Sequence, residues 1–329
     1  MSLLVVALCV GAVGCAAKVD LSKATYTRTT VPAAAQQAGG GGGSSTASTG
    51  TPKTNDPAFA SDKMRLIDAC KLFDNDTLSS VGTPAENNSD DFSRCSNFMK
   101  DTSGKELNLT LTLGETLIED PSKADKNIAG LPGIVSELDD KTACFVTAVT
   151  ETSPNRGVRM QVGGKASNMC DIGTKVLEAV VNKIRSNPPK YDMKSGSLIE
   201  LDPCTLPSDS DVSTALGGAA KPEPTSLHWC TWNGGGATLW VWLRSGVDPA
   251  KIADPAKTTK VDVGGISATQ ELDTNSAKCE VAWSHLPIKG NIAEVVSVQF
   301  LRSSAKQGED MCAKAAAVAK ALVPKLPKS

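Results

Sequence analysis

The chain has 329 residues, 34 basic and 36 acidic side chains, and a net charge of −2. That length accommodates two domains of ordinary size, each able to bury a core, and the even charge balance excludes a nucleic-acid binder, which needs a dense basic face against phosphates. Ten cysteines are many for a reducing cytosol and ordinary for an exported protein, while two histidines and two tyrosines leave few general bases or metal ligands.

Residues 1–14 contain no charged side chain, and Leu3, Leu4, Val5, Val6, Ala7, Leu8 and Val10 form an apolar run too short to span a bilayer, as expected of a signal peptide. The run ends on Ala12-Val13-Gly14-Cys15, a lipobox-like sequence. Small residues before the cysteine fit the narrow cleft of a signal peptidase, and cleavage makes acylated Cys15 the new N-terminus. Cys9 is a poorer candidate because bulky Leu8 precedes it. Ala12 stands where leucine is usual, and no Lys or Arg opens the segment, which points to a start upstream of Met1. Two acyl chains suffice for stable anchoring, since each buried methylene contributes ~0.8 kcal/mol.

Residues 15–61 are mostly Ala, Thr, Ser, Gly and Pro, with a glycine run from Gly39 to Gly43. Such a stretch has almost nothing to bury, so a flexible tether is expected. As a coil of ~45 residues it would hold the folded part on the order of 35–40 Å from the anchor.

The remaining eight cysteines fall into two sets, Cys70, Cys95, Cys144, Cys170 and Cys204, Cys230, Cys279, Cys312. Gaps of 25, 49 and 26 residues in the first recur as 26, 49 and 33 in the second. Flanking residues match as well. Leu66-Ile67-Asp68-Ala69-Cys70 parallels Glu200-Leu201-Asp202-Pro203-Cys204, and Gly133-Ile134 parallels Gly265-Ile266. Asp74 and Ser208 are N-cap candidates for a short helix, closed by Gly82 and Gly217. Val158-Arg159-Met160-Gln161-Val162 and Val296-Ser297-Val298-Gln299-Phe300 alternate as strands do. Met169-Cys170 and Met311-Cys312 each open a helix, and Pro324, standing where the first copy has Asn182, ends the second helix early.

The expected fold is therefore α+β: two tandem similar domains, each an antiparallel sheet with N- and C-terminal helices on one face and two disulfides. The first repeat spans 62–187, a linker with Pro188-Pro189 and Ser195-Gly196-Ser197 spans 188–197, and the second repeat spans 198–329. The seven extra residues between the last two cysteines of the second copy are expected as loop, around His285 to Asn291 and Ser303 to Gly308. Zinc is disfavoured because no close Cys-x-x-Cys pair exists. Four cysteines per repeat allow three connectivities, and spacing does not choose among them. The sequential pairing Cys70–Cys95, Cys144–Cys170, Cys204–Cys230 and Cys279–Cys312 is the expectation adopted, each bridge stabilising by about 3.5 kcal/mol in the chain-entropy model.

Asp202-Pro203-Cys204-x-Leu206, then Leu216-Gly217, then Cys230-Thr231-Trp232 resembles a family of actinobacterial envelope lipoproteins, mycobacterial ones among them, whose domain has no known function. The second copy fits closely; the first has Ala69 for the proline and Asn97 for the tryptophan. The resemblance implies a lipoprotein on the outer face of the cytoplasmic membrane, with a sensing or binding role and no catalytic residues to carry over.

Nothing in the sequence assembles a catalytic site, a metal site or a cofactor motif. Ser303-Ser304-Ala305-Lys306 spells a Ser-x-x-Lys without partner motifs, and His228 and His285 lack triad or metalloprotease spacing. Asp90-Asp91 and Asp139-Asp140 lack the calcium-loop pattern and read as solvated turn charges. All five tryptophans, Trp229, Trp232, Trp240, Trp242 and Trp283, lie in the second copy. In Leu239-Trp240-Val241-Trp242-Leu243 a strand places Trp240 and Trp242 on one face and the aliphatics on the other. Leu107 to Leu113 of the first copy is apolar on one face only. The second copy thus has an additional apolar face, which is either covered by the terminal helix or by the first repeat, or presented as an aromatic platform for a glycan, lipid or protein partner. The functional expectation is a non-enzymatic binding module without cofactor, anchored to the membrane by lipid; the alternative is a structural or regulatory accessory of a membrane complex.

Overall fold

The computed structural model describes residues 53–273, 276–302 and 308–328. The expected signal peptide, Cys15, nearly all of the tether and the Ser303–Lys306 tetrapeptide lie outside the described residues. The first repeat holds helices α1 (Ser61–Arg65), α2 (Ala69–Leu72), α3 (Asn75–Leu78) and α4 (Met169–Ser186). Its strands are β1 (Gly82–Thr83), β2 (Asn87–Asp91), β3 (Arg94–Asp101), β4 (Glu106–Thr116), β5 (Lys126–Ile128), β6 (Leu131–Glu137), β7 (Ala143–Thr152) and β8 (Asn155–Gly164). The second repeat holds β9 (Pro222–Pro224), β10 (Trp229–Gly234), β11 (Ala237–Val247), β12 (Thr258–Asp262), β13 (Ser267–Asp273), β14 (Lys278–Lys289) and β15 (Ile292–Arg302), with helices α5 (Asp209–Leu216), α6 (Pro249–Ile252) and α7 (Met311–Leu322).

Each repeat builds its own antiparallel sheet, and the two sheets share one topology. The first runs β3-β4-β8-β7-β6-β5, with β1 and β2 beside β3; the second runs β10-β11-β15-β14-β13-β12, with β9 beside β10. Register confirms the equivalence: Cys95 pairs Leu111 as Cys230 pairs Val241, and Cys144 pairs Val162 as Cys279 pairs Phe300. The disulfides among the described residues join Cys70 to Cys95, Cys144 to Cys170, Cys204 to Cys230 and Cys279 to Cys312. Each ties a segment near the start or end of its repeat to a sheet strand.

The helix signals act as their chemistry dictates. Ser208 and Asp211 form a capping box at the start of α5, and Gly217 closes it at φ 78°. In α4, Met169, Ile172, Val176, Leu177, Val180, Val181 and Ile184 recur at helical spacing and are all buried against the sheet. Helix α7 stops at Leu322 and passes into a 3-10 turn containing Pro324, because proline cannot donate to the helical ladder.

Four expectations are corrected. The folded part begins before residue 61: Phe59 is buried in the first core, Asp56 pairs with Arg185 at 2.8 Å, and Asn55 N donates to Thr150 O. A single large apolar residue and one acid suffice to dock this end of the polar stretch. Gly82 does not close a helix, since α3 ends at Leu78; it pairs with Asp101 in β1, where an added Cβ would meet Lys100 O at 2.0 Å. Residues 285–289 extend β14 rather than forming a loop, and the hairpin turns at Gly290 with φ 59°. Register equates Ile134 with Thr269, because these residues pair with Thr147 and Ala282, three residues beyond Cys144 and Cys279; the Gly133-Ile134 and Gly265-Ile266 match is accidental.

The described residues form a single compact unit, and the repeats are joined through a reciprocal exchange. Phe92 stands three residues before Cys95 and is buried in the core of the second repeat; Leu227 stands three residues before Cys230 and is buried in the core of the first. The next residue of each copy meets its counterpart: Ser93 Oγ lies 3.0 Å from His228 Nδ1. The carbonyls behind the exchanged side chains are also satisfied, Phe92 O by the Tyr191 hydroxyl at 2.6 Å and Leu227 O by Arg65 Nε at 2.9 Å. Arg65 Nη2 further pairs with Asp202 at 2.6 Å. Equivalent positions facing one another are the signature of an approximate two-fold axis, so the chain is packed like a dimer with a covalent connection.

Candidate ligand-binding face

The inner face of the second sheet carries Val241, Val298 and Val281 in one row and Trp232, Leu239, Phe300 and Cys279 in the next, all buried. Helices α5 and α7 cover that face. Strand alternation sends the intervening residues to the other side. There, register aligns Thr231, Trp240, Gln299, Glu280 and Glu271 in one row, and Trp229, Trp242, Ser297, Ala282 and Thr269 in the next. Trp240 and Trp242 therefore share the outer face, and Trp229 of β10 joins them. Trp232 and Trp283 lie in the core, each 2 % exposed.

The three outer indoles are half-buried and pack on one another. Trp229 stacks with Trp242 at 5.5 Å between ring centroids and meets Trp240 edge-on at 5.4 Å. With Ser297 and Gln299 they line a cavity of about 150 Å³. Neither the terminal helix nor the first repeat covers it. The first repeat does reach its edge: the Trp242 Nε1–H donates to Asp91 at 3.3 Å. Asp91 is thus not the solvated turn charge expected. Burial pushes its carboxyl up to about 6, against the opposing pull of the Phe92 N–H and the Trp242 N–H. The Arg244 guanidinium sits 5.0 Å over the Trp242 ring, a cation–π contact.

Glu280 organises the floor. It accepts from the Ser297 hydroxyl at 2.5 Å and from Gln299 Nε2 at 2.9 Å. Holding Nε2 toward the carboxylate orients the amide and leaves the buried Gln299 Oε1 without a partner among the described residues, as is the buried Trp229 indole N–H. Glu280 in turn borders a second cavity of about 180 Å³, shared with Arg244, Ile252, Thr258, Thr269 and Glu271 beneath α6. The outer face of the first sheet differs: Arg159 is clamped by Glu115 and Glu119 at 3.3 and 2.6 Å, and Ser96 bonds Thr110 at 3.0 Å.

The remaining candidates separate from this face. His228 stands beside Trp229, 1 % exposed, between Ser93 and the carbonyl of Ile199 at 2.8 Å. Desolvation lowers its pKa to about 4, so the ring is neutral. A serine and a histidine at this distance have the geometry of a nucleophile and its base. Ser93 is only 6 % exposed, however, so no substrate reaches its hydroxyl. His285 bonds Gly196 O at 2.9 Å. Asp139 is exposed, and Asp140 caps a turn through Thr142. No group of three or more His, Cys, Asp or Glu suited to a metal occurs among the described residues, and no helix among them is long and apolar enough to cross a membrane.

Arg244 was not singled out from the sequence, Asp91 was read there as a turn charge, and Trp229 was counted among the tryptophans without being placed on this face. Trp229 was within reach, since any antiparallel pairing of β10 with β11 that aligns Cys230 with Val241 places it across from Trp242. Asp91 carries no such signal because it arrives from the other repeat.

No family model matches the chain, and no curated protein matches it. Among solved structures, the apo immunity protein TplEi of T6SS from Pseudomonas aeruginosa aligns with a TM-score of 0.27 at 9% identity, covering 74% of this chain and 97% of its own. MucB in complex with MucA(peri) aligns with a TM-score of 0.15 at 12% identity, covering 72% and 88%. Scores this low carry neither a fold assignment nor a functional residue to this chain.

Proposed function

We propose that the chain is a lipid-anchored, extracytoplasmic protein of the bacterial envelope that binds a ligand non-catalytically through the outer face of its second sheet. The carrying observation is the group of half-buried indoles, Trp229, Trp240 and Trp242, around a cavity that no other part of the described chain covers. Aromatic walls around a small cavity outside the core suit contact with a ligand. The four disulfides suit an oxidising compartment, and the lipobox-like Ala12-Val13-Gly14-Cys15 supplies the address.

Two measurements test this reading. Solubilised envelope material should quench the tryptophan fluorescence of the full chain, and Trp240→Ala should abolish that response. Absence of any response would remove the binding role. In cells, the wild-type chain should partition into detergent while Cys15→Ser is shed in water; equal partitioning of both would remove the anchor.

A further inference from the structure

We infer that the outer face of the second sheet takes a neutral oligosaccharide, with one pyranose ring in the tryptophan-lined cavity and its neighbour in the cleft beneath α6. This inference rests on the binding reading above and adds the chemical class of the ligand.

Size limits the occupant first. The cavities of about 150 and 180 Å³ each fall below the ~300 Å³ at which pockets for drug-sized ligands begin. Each holds one small ring, and Glu280, bonded to the walls of the first and bordering the second, joins them. A long acyl chain would need a continuous apolar tunnel, whereas the second cleft sets Arg244, Thr258, Thr269, Glu271 and Glu280 among the apolar Pro249, Ile252, Ala253 and Ala282.

Hydrogen-bond chemistry limits it further. The first cavity is walled by indole rings, whose negative faces attract the weakly positive C–H bonds of a sugar ring. Buried behind those walls lie one donor, Trp229 Nε1–H, and one acceptor, Gln299 Oε1, each without a partner among the described residues. In the proposed complex both half-buried side chains rotate to bring these atoms to the ligand. A hydroxyl both donates and accepts, so a sugar satisfies both atoms. A phosphate dianion or carboxylate cannot donate to Gln299, and a quaternary ammonium cannot accept from Trp229. A cation is disfavoured a second time because Arg244 already occupies the Trp242 face. The second cleft offers hydroxyls, two carboxylates and a guanidinium, groups that bind vicinal diols in pairs.

Calorimetric titration of the full chain with neutral tetrasaccharides of glucose, mannose, galactose and N-acetylglucosamine tests this. At least one should bind, and Trp240→Ala and Gln299→Leu should each weaken it about tenfold. Trp283→Phe, altering a core indole, should leave the affinity unchanged. If Trp240→Ala does not fold, judged by circular dichroism, Gln299→Leu alone decides. The sugar class is overturned if no tetrasaccharide binds up to about 10 mM, or if both outer-face variants bind like wild type. It is equally overturned if phosphatidylglycerol vesicles or a mixed pentapeptide pool bind through Trp240 while the sugars do not. Quenching by envelope material that persists alongside failed sugar binding removes the ligand class and leaves the binding reading standing.

Discussion

Replacing Phe92 by Ala should destabilise the repeat to which Phe92 does not belong in sequence. Phe92 is 2 % exposed within the core of the second repeat, and its ring meets His228 edge-on at 5.1 Å. Truncating a buried phenylalanine costs about 3–5 kcal/mol through lost transfer energy and the cavity left behind. With a guanidinium m-value of about 5 kcal/mol/M for a repeat of this size, a loss of ~4 kcal/mol lowers the midpoint by about 0.8 M. Tryptophan fluorescence is the suitable probe, because all five indoles lie in the second repeat and the signal reports that repeat alone. Equilibrium denaturation with the bridges intact should show the shifted midpoint. If the repeats were independent beads on a string, the fluorescence transition would stay in place while circular dichroism of the first repeat moved. An unmoved fluorescence midpoint would refute the reciprocal exchange.

Arg65→Met removes the bond to Asp202 and leaves Leu227 O without its donor, so a loss of about 2–3 kcal/mol is expected from chemical denaturation; a neutral effect would show that the junction carries no polar energy. Gly114 has φ 62°, and an added Cβ would lie 2.4 Å from Leu227. Gly114→Ala should therefore cost about 2–3 kcal/mol, and Leu227→Ala in the same chain should recover part of it, with additive losses counting against the contact. His228 titrates at about 4 in the folded chain against 6.5 when unfolded, so its contribution is whole above pH 6.5 and declines as pH falls toward 4, by about 3 kcal/mol at most. Asp91, pushed up to about 6, contributes the opposite slope between about 4 and 6, so the measurement is the difference between wild type and His228→Gln. Parallel pH profiles for the two would refute a buried neutral imidazole.

Much of the architecture was legible because it rests on local periodicity and on cysteine spacing. The apolar residues of α4 recur at helical spacing, Ser208 and Gly217 bracket α5 by backbone chemistry that any helix end requires, and Leu239 to Leu243 alternates as a two-faced strand must. The aromatic face followed from that alternation. The junction was not legible. Phe92 and Leu227 look like ordinary apolar residues before a strand, and nothing local indicates that each enters the other repeat's core. Asp91 reads as a turn acid for the same reason: the burial that raises its pKa comes from packing against the other repeat, whose Trp242 is 151 residues away. Gly82 was misread because a glycine after a short helix commonly caps it, whereas here the missing Cβ admits a neighbouring strand. The apparent tether ran too far because composition averages over the single Phe59 that anchors its end.

The most direct test of the binding face is the indole N–H region of a ¹⁵N-correlated NMR spectrum, recorded while envelope ligand is added to the full chain in detergent. Resonances of Trp229, Trp240 and Trp242 should move together while those of Trp232 and Trp283 remain still. Five unmoved resonances at saturating ligand, or movement confined to Trp232 and Trp283, would contradict a ligand site on the outer face of the second sheet.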